Sequence, residues 1–330
     1  MWKEIRRICI KLMALILPFF IVLPLYCRFF PFYYLDEEYA MYRQQYDFVM
    51  QENAQATDPS VVVIGDSRAK AAFDPALLSD GENAVYNLSL GGTTAIEGYY
   101  TLKNYLEHHE KPETVVVCYA PMHYMDVDTL WTRCIYFHTF LKEDFEDLVT
   151  QAQRFDDTQH ILIENYRLEY LMYKLYLPNK YATALKNAAF VMRHQASTQK
   201  YTNMVEFKGH TFYGTADYSD GVDGEAKVSD FENSDIIAWY QQRLIDLCRQ
   251  QGITVIVEQA PVNETSYGIF TPAFKEHFRE FMNRVAAQNT DFAVYPDFYC
   301  YPNDCFGDAD HLNSRGVEIF CEQMRSKYGW

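Results

Sequence analysis

Four β-branched residues in a row, Val61-Val62-Val63-Ile64, run directly into Gly65-Asp66-Ser67-Arg68. A short apolar run that stops on glycine reads as a buried strand ending at a sharp turn. The turn presents a serine where α/β folds place their ligands, at the carboxyl end of a strand. From residue 57 onward the rest of the chain fits such a strand, because short apolar runs alternate with amphipathic segments. That is the pattern of a parallel sheet wrapped by helices. The expected strands are 60–64, 84–88, 114–119, 254–258 and 292–295. The expected helices are 95–109, 236–250, 270–289 and 315–327, and the class is therefore α/β.

One long stretch, 125–235, fits this alternation poorly. From 141 to about 194 it is helical in character, with aromatics and leucines at helical spacing that point to core packing. Residues 202–233 are rich in Gly, Asp and Tyr with little periodicity, which predicts loop. The whole is read as a mainly helical insertion covering one side of the sheet, a lid or substrate groove. A chain of 330 residues is long for a single domain without one.

The N-terminus reads as separate from the α/β unit, which begins at 57. Between Ile8 and Cys27 the only charge is Lys11, and the run has about the 20 residues a membrane helix needs. Lys3, Arg6 and Arg7 precede it, and Asp36, Glu37 and Glu38 follow Arg28. The positive-inside rule therefore predicts a cytoplasmic N-terminus and an extracytoplasmic remainder. No small-residue cleavage site follows the apolar run, which favours an uncleaved single-pass signal anchor (1–30) in the cell membrane over a cleaved signal peptide. Residues 37 to about 56 are polar, Tyr-rich and helical in character, and 31–56 reads as a juxtamembrane stalk.

A net charge of -16 argues against a nucleic-acid partner, since phosphate binding wants a basic face. Among the 8 cysteines no spacing with histidine suggests a metal site. Cys300 and Cys305 bracket a turn-rich loop and are either a disulfide or two free thiols. No pattern calls for a cofactor.

The chemistry-bearing residues lie at the two ends of the α/β unit. Near the C-terminus stands Asp308-Ala309-Asp310-His311-Leu312-Asn313, with an Asp three residues before a His. A serine nucleophile needs a base to take its proton and an acid to orient that base. Ser67, His311 and Asp308 supply the three parts. The first strand, the turn at Ser67 and the C-terminal Asp-x-x-His together resemble the SGNH, or GDSL-like, hydrolase superfamily. The resemblance implies a three-layer, flavodoxin-like α/β/α sandwich with Ser67 as nucleophile, His311 as base and Asp308 as its partner, in preference to the adjacent Asp310. Asn87-Leu88-Ser89-Leu90-Gly91-Gly92-Thr93 is similar to the family's second block. That match implies Gly92, or the neighbouring Gly91, as a backbone oxyanion donor beside the Ser67 N–H. A glycine suits the task because backbone must approach the reacting carbonyl closely.

The third block departs from the family. Where Gly-x-Asn-Asp is expected after the third strand, the chain has Ala120-Pro121-Met122-His123-Tyr124. The asparagine donor is missing, and His123 is the side chain left to replace it. Residues 260–264, after the strand ending at Glu258, are expected at the same edge of the sheet.

What the resemblance implies is acyl chemistry on an ester, with water or a hydroxyl as acceptor. The layout is similar to bacterial envelope esterases and O-acyltransferases. It implies an envelope glycan, lipid-linked glycan or acylated small molecule as substrate, acetyl as the acyl group, and a membrane-bound O-acyltransferase as partner. The N-terminal helix would contact membrane lipid. The alternative is a non-catalytic, membrane-tethered binding or assembly protein on a degenerate scaffold of the same fold.

Overall fold

The computed structural model describes residues 2–51, 58–80, 84–155 and 161–330. The tail of the expected stalk (52–56) and part of the expected helical stretch (156–160) lie outside them. Seven strands are found among the described residues: β1 (Val61–Gly65), β2 (Val85–Asn87), β3 (Thr114–Cys118), β4 (Thr254–Glu258), β5 (Val262–Asn263), β6 (Ala293–Val294) and β7 (Cys300–Tyr301). Five of them form a parallel sheet in the order β2-β1-β3-β4-β6. The strand order reverses at β1, so a crevice opens at the carboxyl ends of β1 and β3.

Both faces of this sheet are covered, which explains its unbroken apolar runs. Side chains alternate across the pleat. Val62, Ile64, Val115, Val117, Val255 and Val257 belong to one core. Helices Ala95–His108, Asp235–Gln251 and Pro272–Gln288 contribute to that side. Val61, Val63, Val116, Cys118 and Ile256 enter a second core with Phe73, Val317, Phe320 and Met324. Helices Ser67–Ala72 and Ser314–Tyr328 cover that second side.

Local signals set the helix ends. Thr94 and Glu97 make a capping box at the start of Ala95–His108. Gly252, at φ +68°, ends Asp235–Gln251 in the left-handed conformation. The helix expected over 270–289 is found as Pro272–Gln288, and a short helix with no counterpart among the expected elements, Glu264–Ile269, precedes it across a break at 270–271. The break follows from Thr271, which caps the second helix, and from Pro272, which lacks an N–H to continue the first. The pair β5–β7 forms a small second sheet, too short to leave a periodic pattern. The cysteines are free thiols, Cys300 exposed and Cys305 buried.

The N-terminal helix, Trp2–Phe29, is long and apolar enough to cross a membrane, and its side chains are exposed through Val22, with Cys27 buried near its end. At 1.5 Å per residue it extends about 42 Å. Helix Glu37–Val49, in the segment expected as a stalk, packs on helix Phe190–Glu206. It buries Tyr39, Tyr42, Gln44, Gln45 and Val49.

Candidate active site

Asp66 organises the turn after β1. Its buried carboxylate caps helix Ser67–Ala72, accepting from Arg68 N at 2.9 Å and Ala69 N at 3.3 Å. Its other oxygen accepts from Ala120 N at 2.6 Å, which ties the end of β3 to the same turn. Ser67 is thus the first residue of a helix seated on the strand end, and it is partly exposed. Asn87 secures the far end of that helix, donating to Ala69 O at 3.0 Å and Phe73 O at 2.9 Å.

The loop after β2 is fastened beside it. Thr93 Oγ1 donates to Gly65 O at 3.0 Å, and Leu90 N donates to the same oxygen. Gly92 has φ +72°, and a Cβ there would fall 2.2 Å from Thr129 Cγ2. The carbonyls of the two glycines are held from behind. Tyr42 donates to Gly91 O at 2.6 Å and Thr129 to Gly92 O at 2.9 Å. A Cβ on Gly91 would lie 3.8 Å from Ser67 Cβ, so this loop borders the serine.

At the C-terminal end, Asp308 folds the Asp-x-x-His segment into a compact turn. One carboxylate oxygen accepts from Asp310 N at 2.9 Å and His311 N at 2.8 Å. The other lies 2.9 Å from His311 Nδ1. Burial works against the charged form, but the His311 contact and the two backbone donors outweigh it and hold the carboxyl below its usual range. Asn263 donates to Ala309 O at 2.7 Å, so the 260–264 segment supports this turn. Asn313 then caps the last helix through Gly316 N.

The two ends of the α/β unit meet here. Arg68 Nη2 lies 3.8 Å from Asp310 Oδ1, joining the residue after Ser67 to the residue before His311. Arg68 is buried and also pairs with Glu225, with Asp223 at 3.7 Å. Burial opposes the Arg68 charge, but the carboxylates, Glu225 foremost, overcome that and keep it protonated. Burial, then the charge of Glu225, lifts Asp223 to about 7 against the pull of Arg68.

Sequence reasoning gave no role to Tyr213, Asp223 or Glu225, all in the aperiodic stretch 202–233. The Tyr213 ring stacks on His311 with centroids 4.5 Å apart. Its hydroxyl would be 3.3 Å from a Cβ on Gly91. The loop can lie this close because Gly214 meets Gly307 backbone to backbone, where a Cβ would approach to 2.3 Å. Both the Tyr213 hydroxyl and His311 Nε2 are buried without a hydrogen-bond partner. Burial, with the charges of Glu38 and Asp66, pushes the phenol well above its ordinary range, so it stays a donor. A sequence signal did exist in the glycines at 214 and 307, although nothing local pairs them.

The structure therefore brings Ser67, Gly91, His311 and Asp308 to one locus around Tyr213. His311 Nε2 and Ser67 are not hydrogen-bonded; such contacts often tighten only with substrate. His123 follows β3 in the short helix Met122–Met125, buried, with Nδ1 unpartnered and Glu97 as a nearby charge. A cleft of about 430 Å³ opens elsewhere, lined by residues including Met125, Phe155, Asn233 and Asp235, and none of the candidate residues lines it. No cluster of metal-ligating side chains occurs among the described residues.

No protein-family model and no curated protein matches the chain. Among solved structures the chain is similar to one described as "The structure of a putative platelet activating factor from Streptococcus pneumonia". The identity is 11%, the TM-score 0.37, and the match covers 87% of this chain and 92% of that one. A score of that size leaves the fold reading to rest on the strand order and cores described above.

Proposed function

We propose that this chain is a membrane-anchored serine esterase or O-acyltransferase of the SGNH type, acting outside the cytoplasm through Ser67, His311 and Asp308. The observation that carries the reading is the Asp308–His311 pair. Asp308 takes Nδ1, which leaves Nε2 as the basic nitrogen. The Arg68–Asp310 contact draws that turn toward Ser67. The sheet order supports the fold assignment, since β2-β1-β3-β4-β6 follows the flavodoxin-like order 2-1-3-4-5 with Ser67 at its switch point.

In the proposed reaction His311 Nε2 accepts the Ser67 hydroxyl proton as Oγ attacks the ester carbonyl carbon. Negative charge develops on the carbonyl oxygen and is met by the Ser67 and Gly92 N–H groups. His123 is the side chain available for a third donation. The imidazolium, steadied by Asp308, returns its proton to the departing alkoxide and leaves an acyl-serine. Water or a glycan hydroxyl then attacks the acyl carbon as His311 again takes the proton, and the imidazolium returns it to Ser67 Oγ as the acyl–serine bond breaks. The substrate class we assign is an acylated envelope glycan or lipid-linked glycan with acetyl as the acyl group, and the proposed partner is a membrane-bound O-acyltransferase.

One observation favours the second reading, a non-catalytic tethered binding or assembly protein. Tyr213 covers His311, whose Nε2 is sealed from solvent. Treating the full-length protein in detergent with a fluorophosphonate probe separates the two. Labelling that disappears in Ser67→Ala and His311→Ala supports the enzyme; a folded wild type that never labels supports the scaffold.

A further inference from the structure

Helix Tyr166–Lys174 is apolar on two opposite sides. Tyr166, Tyr170 and Tyr173, spaced i, i+4 and i+7, pack inward against the core. Tyr170 stacks on Phe145 with ring centroids 4.0 Å apart. Leu168, Leu171 and Leu175, spaced i, i+3 and i+7, fall on the far side. They are 57%, 49% and 52% exposed. A surface helix of a water-soluble domain carries polar residues on that face. Met192, in the nearby helix Phe190–Glu206, is 74% exposed as well.

These helices enclose the point where the apolar N-terminal helix ends. Tyr181 meets Tyr34 edge to face at 6.0 Å, and the Tyr34 hydroxyl donates to Cys27 O at 2.9 Å. Arg193 donates to Tyr34 O at 2.9 Å, and His194 stacks on Tyr33 at 4.3 Å. The charge of this region also differs from the rest of the molecule. Residues 166–206 hold six Lys or Arg and two Glu, a net of +4 (six minus two), in a chain of -16.

We propose that the helices of 166–206 dock on the bilayer crossed by Trp2–Phe29, with Leu168, Leu171 and Leu175 entering the boundary between headgroups and acyl chains. The proposal rests on the reading of Trp2–Phe29 as a membrane span. Lys174 sits on the flank between the two apolar faces, where a long basic side chain reaches anionic headgroups, beside Arg167, which pairs with Glu146. A second copy is a poorer occupant, because a symmetric contact through this face would set basic residues against basic residues. Continuity with the end of the span and the local positive charge both favour an anionic lipid surface.

The test uses the full chain in proteoliposomes of phosphatidylethanolamine and phosphatidylglycerol, with exposed Cys9 and Cys300 changed to serine. An environment-sensitive fluorophore is attached in turn at Leu171→Cys, Leu15→Cys and Glu322→Cys. Lipids carrying a nitroxide near the headgroup should quench the fluorophore at 171 by about twofold or more, and lipids carrying one deep in the acyl chain should quench that at 15, while both spare that at 322. Quenching at 15 without quenching at 171 overturns the docking and leaves the anchor standing. No quenching at 15 overturns the span and the docking with it. Disulfide-linked dimers through Leu171→Cys, with no lipid quenching there, would make a second copy the occupant and overturn the proposal.

Discussion

The phenol ring of Tyr213 lies against the imidazole of His311, centroids 4.5 Å apart and planes 26° from parallel. Such a stack contributes about 0.5–1.5 kcal/mol beyond its buried area, so it sets a modest barrier to uncovering Nε2. Tyr213→Ala should speed fluorophosphonate labelling of Ser67 by roughly 2–12-fold, the equivalent of that energy. Tyr213→Phe keeps the ring and should label at the wild-type rate. Equal rates for all three proteins would mean that the ring does not gate the site.

Asp308→Asn should lower the acylation rate by roughly 10³–10⁴, because an amide can hold the imidazole in the wrong tautomer. The thermal midpoint should move little, since Asp308 is 40% exposed. Asp310→Asn is the contrast, because Asp310 meets Arg68 rather than the His311 ring. A comparable loss in both variants would remove Asp308 from its assigned place.

Arg68→Met leaves Glu225 and Asp223 buried without their counter-ion. Breaking a buried pair from one side costs about 3–5 kcal/mol, which denaturant unfolding can read. Adding Glu225→Gln and Asp223→Asn to the same protein should recover much of the loss. Failure of the triple variant to recover would show that Arg68 acts through its packing.

Lys70 gives a pH signature. It is fully buried, donates to Ser89 O at 2.7 Å, and is lowered to about 7 by burial and then by Lys200. Its folded pKa lies below the unfolded value of about 10.4, so its share of stability is complete above that value. That share falls as pH drops toward about 7. Lys70→Met should therefore unfold at a higher temperature than wild type near pH 7, with an advantage that shrinks toward pH 10. An advantage independent of pH would assign the effect to volume alone.

Much of the sheet was legible because β-branched runs buried on both faces leave little other reading, as at Val61–Gly65 and Thr114–Cys118. Ser67 and the Asp308–His311 turn were legible because their partners lie within three residues or on a strand end. Tyr213 was not, since nothing local distinguishes it among 27 tyrosines in a stretch without periodicity. The segment 37–49 reads as a juxtamembrane stalk for a related reason. Its inward groups are themselves polar: Gln44 donates to the Tyr86 hydroxyl at 2.8 Å and Gln45 to Leu88 O at 2.9 Å. Polarity there marks hydrogen bonds to the domain rather than exposure to water.

Tyr42 belongs to that same segment, and its hydroxyl holds the Gly91 carbonyl beside Ser67. The stretch leading out of the apolar helix is therefore a structural wall of the loop that faces the serine. Anyone preparing a water-soluble version should cut before Asp36, whose side chain starts the helix carrying Tyr42. A truncation at residue 50 would discard that wall along with the apolar helix, and an inactive product would report on the cut rather than on the proposed activity.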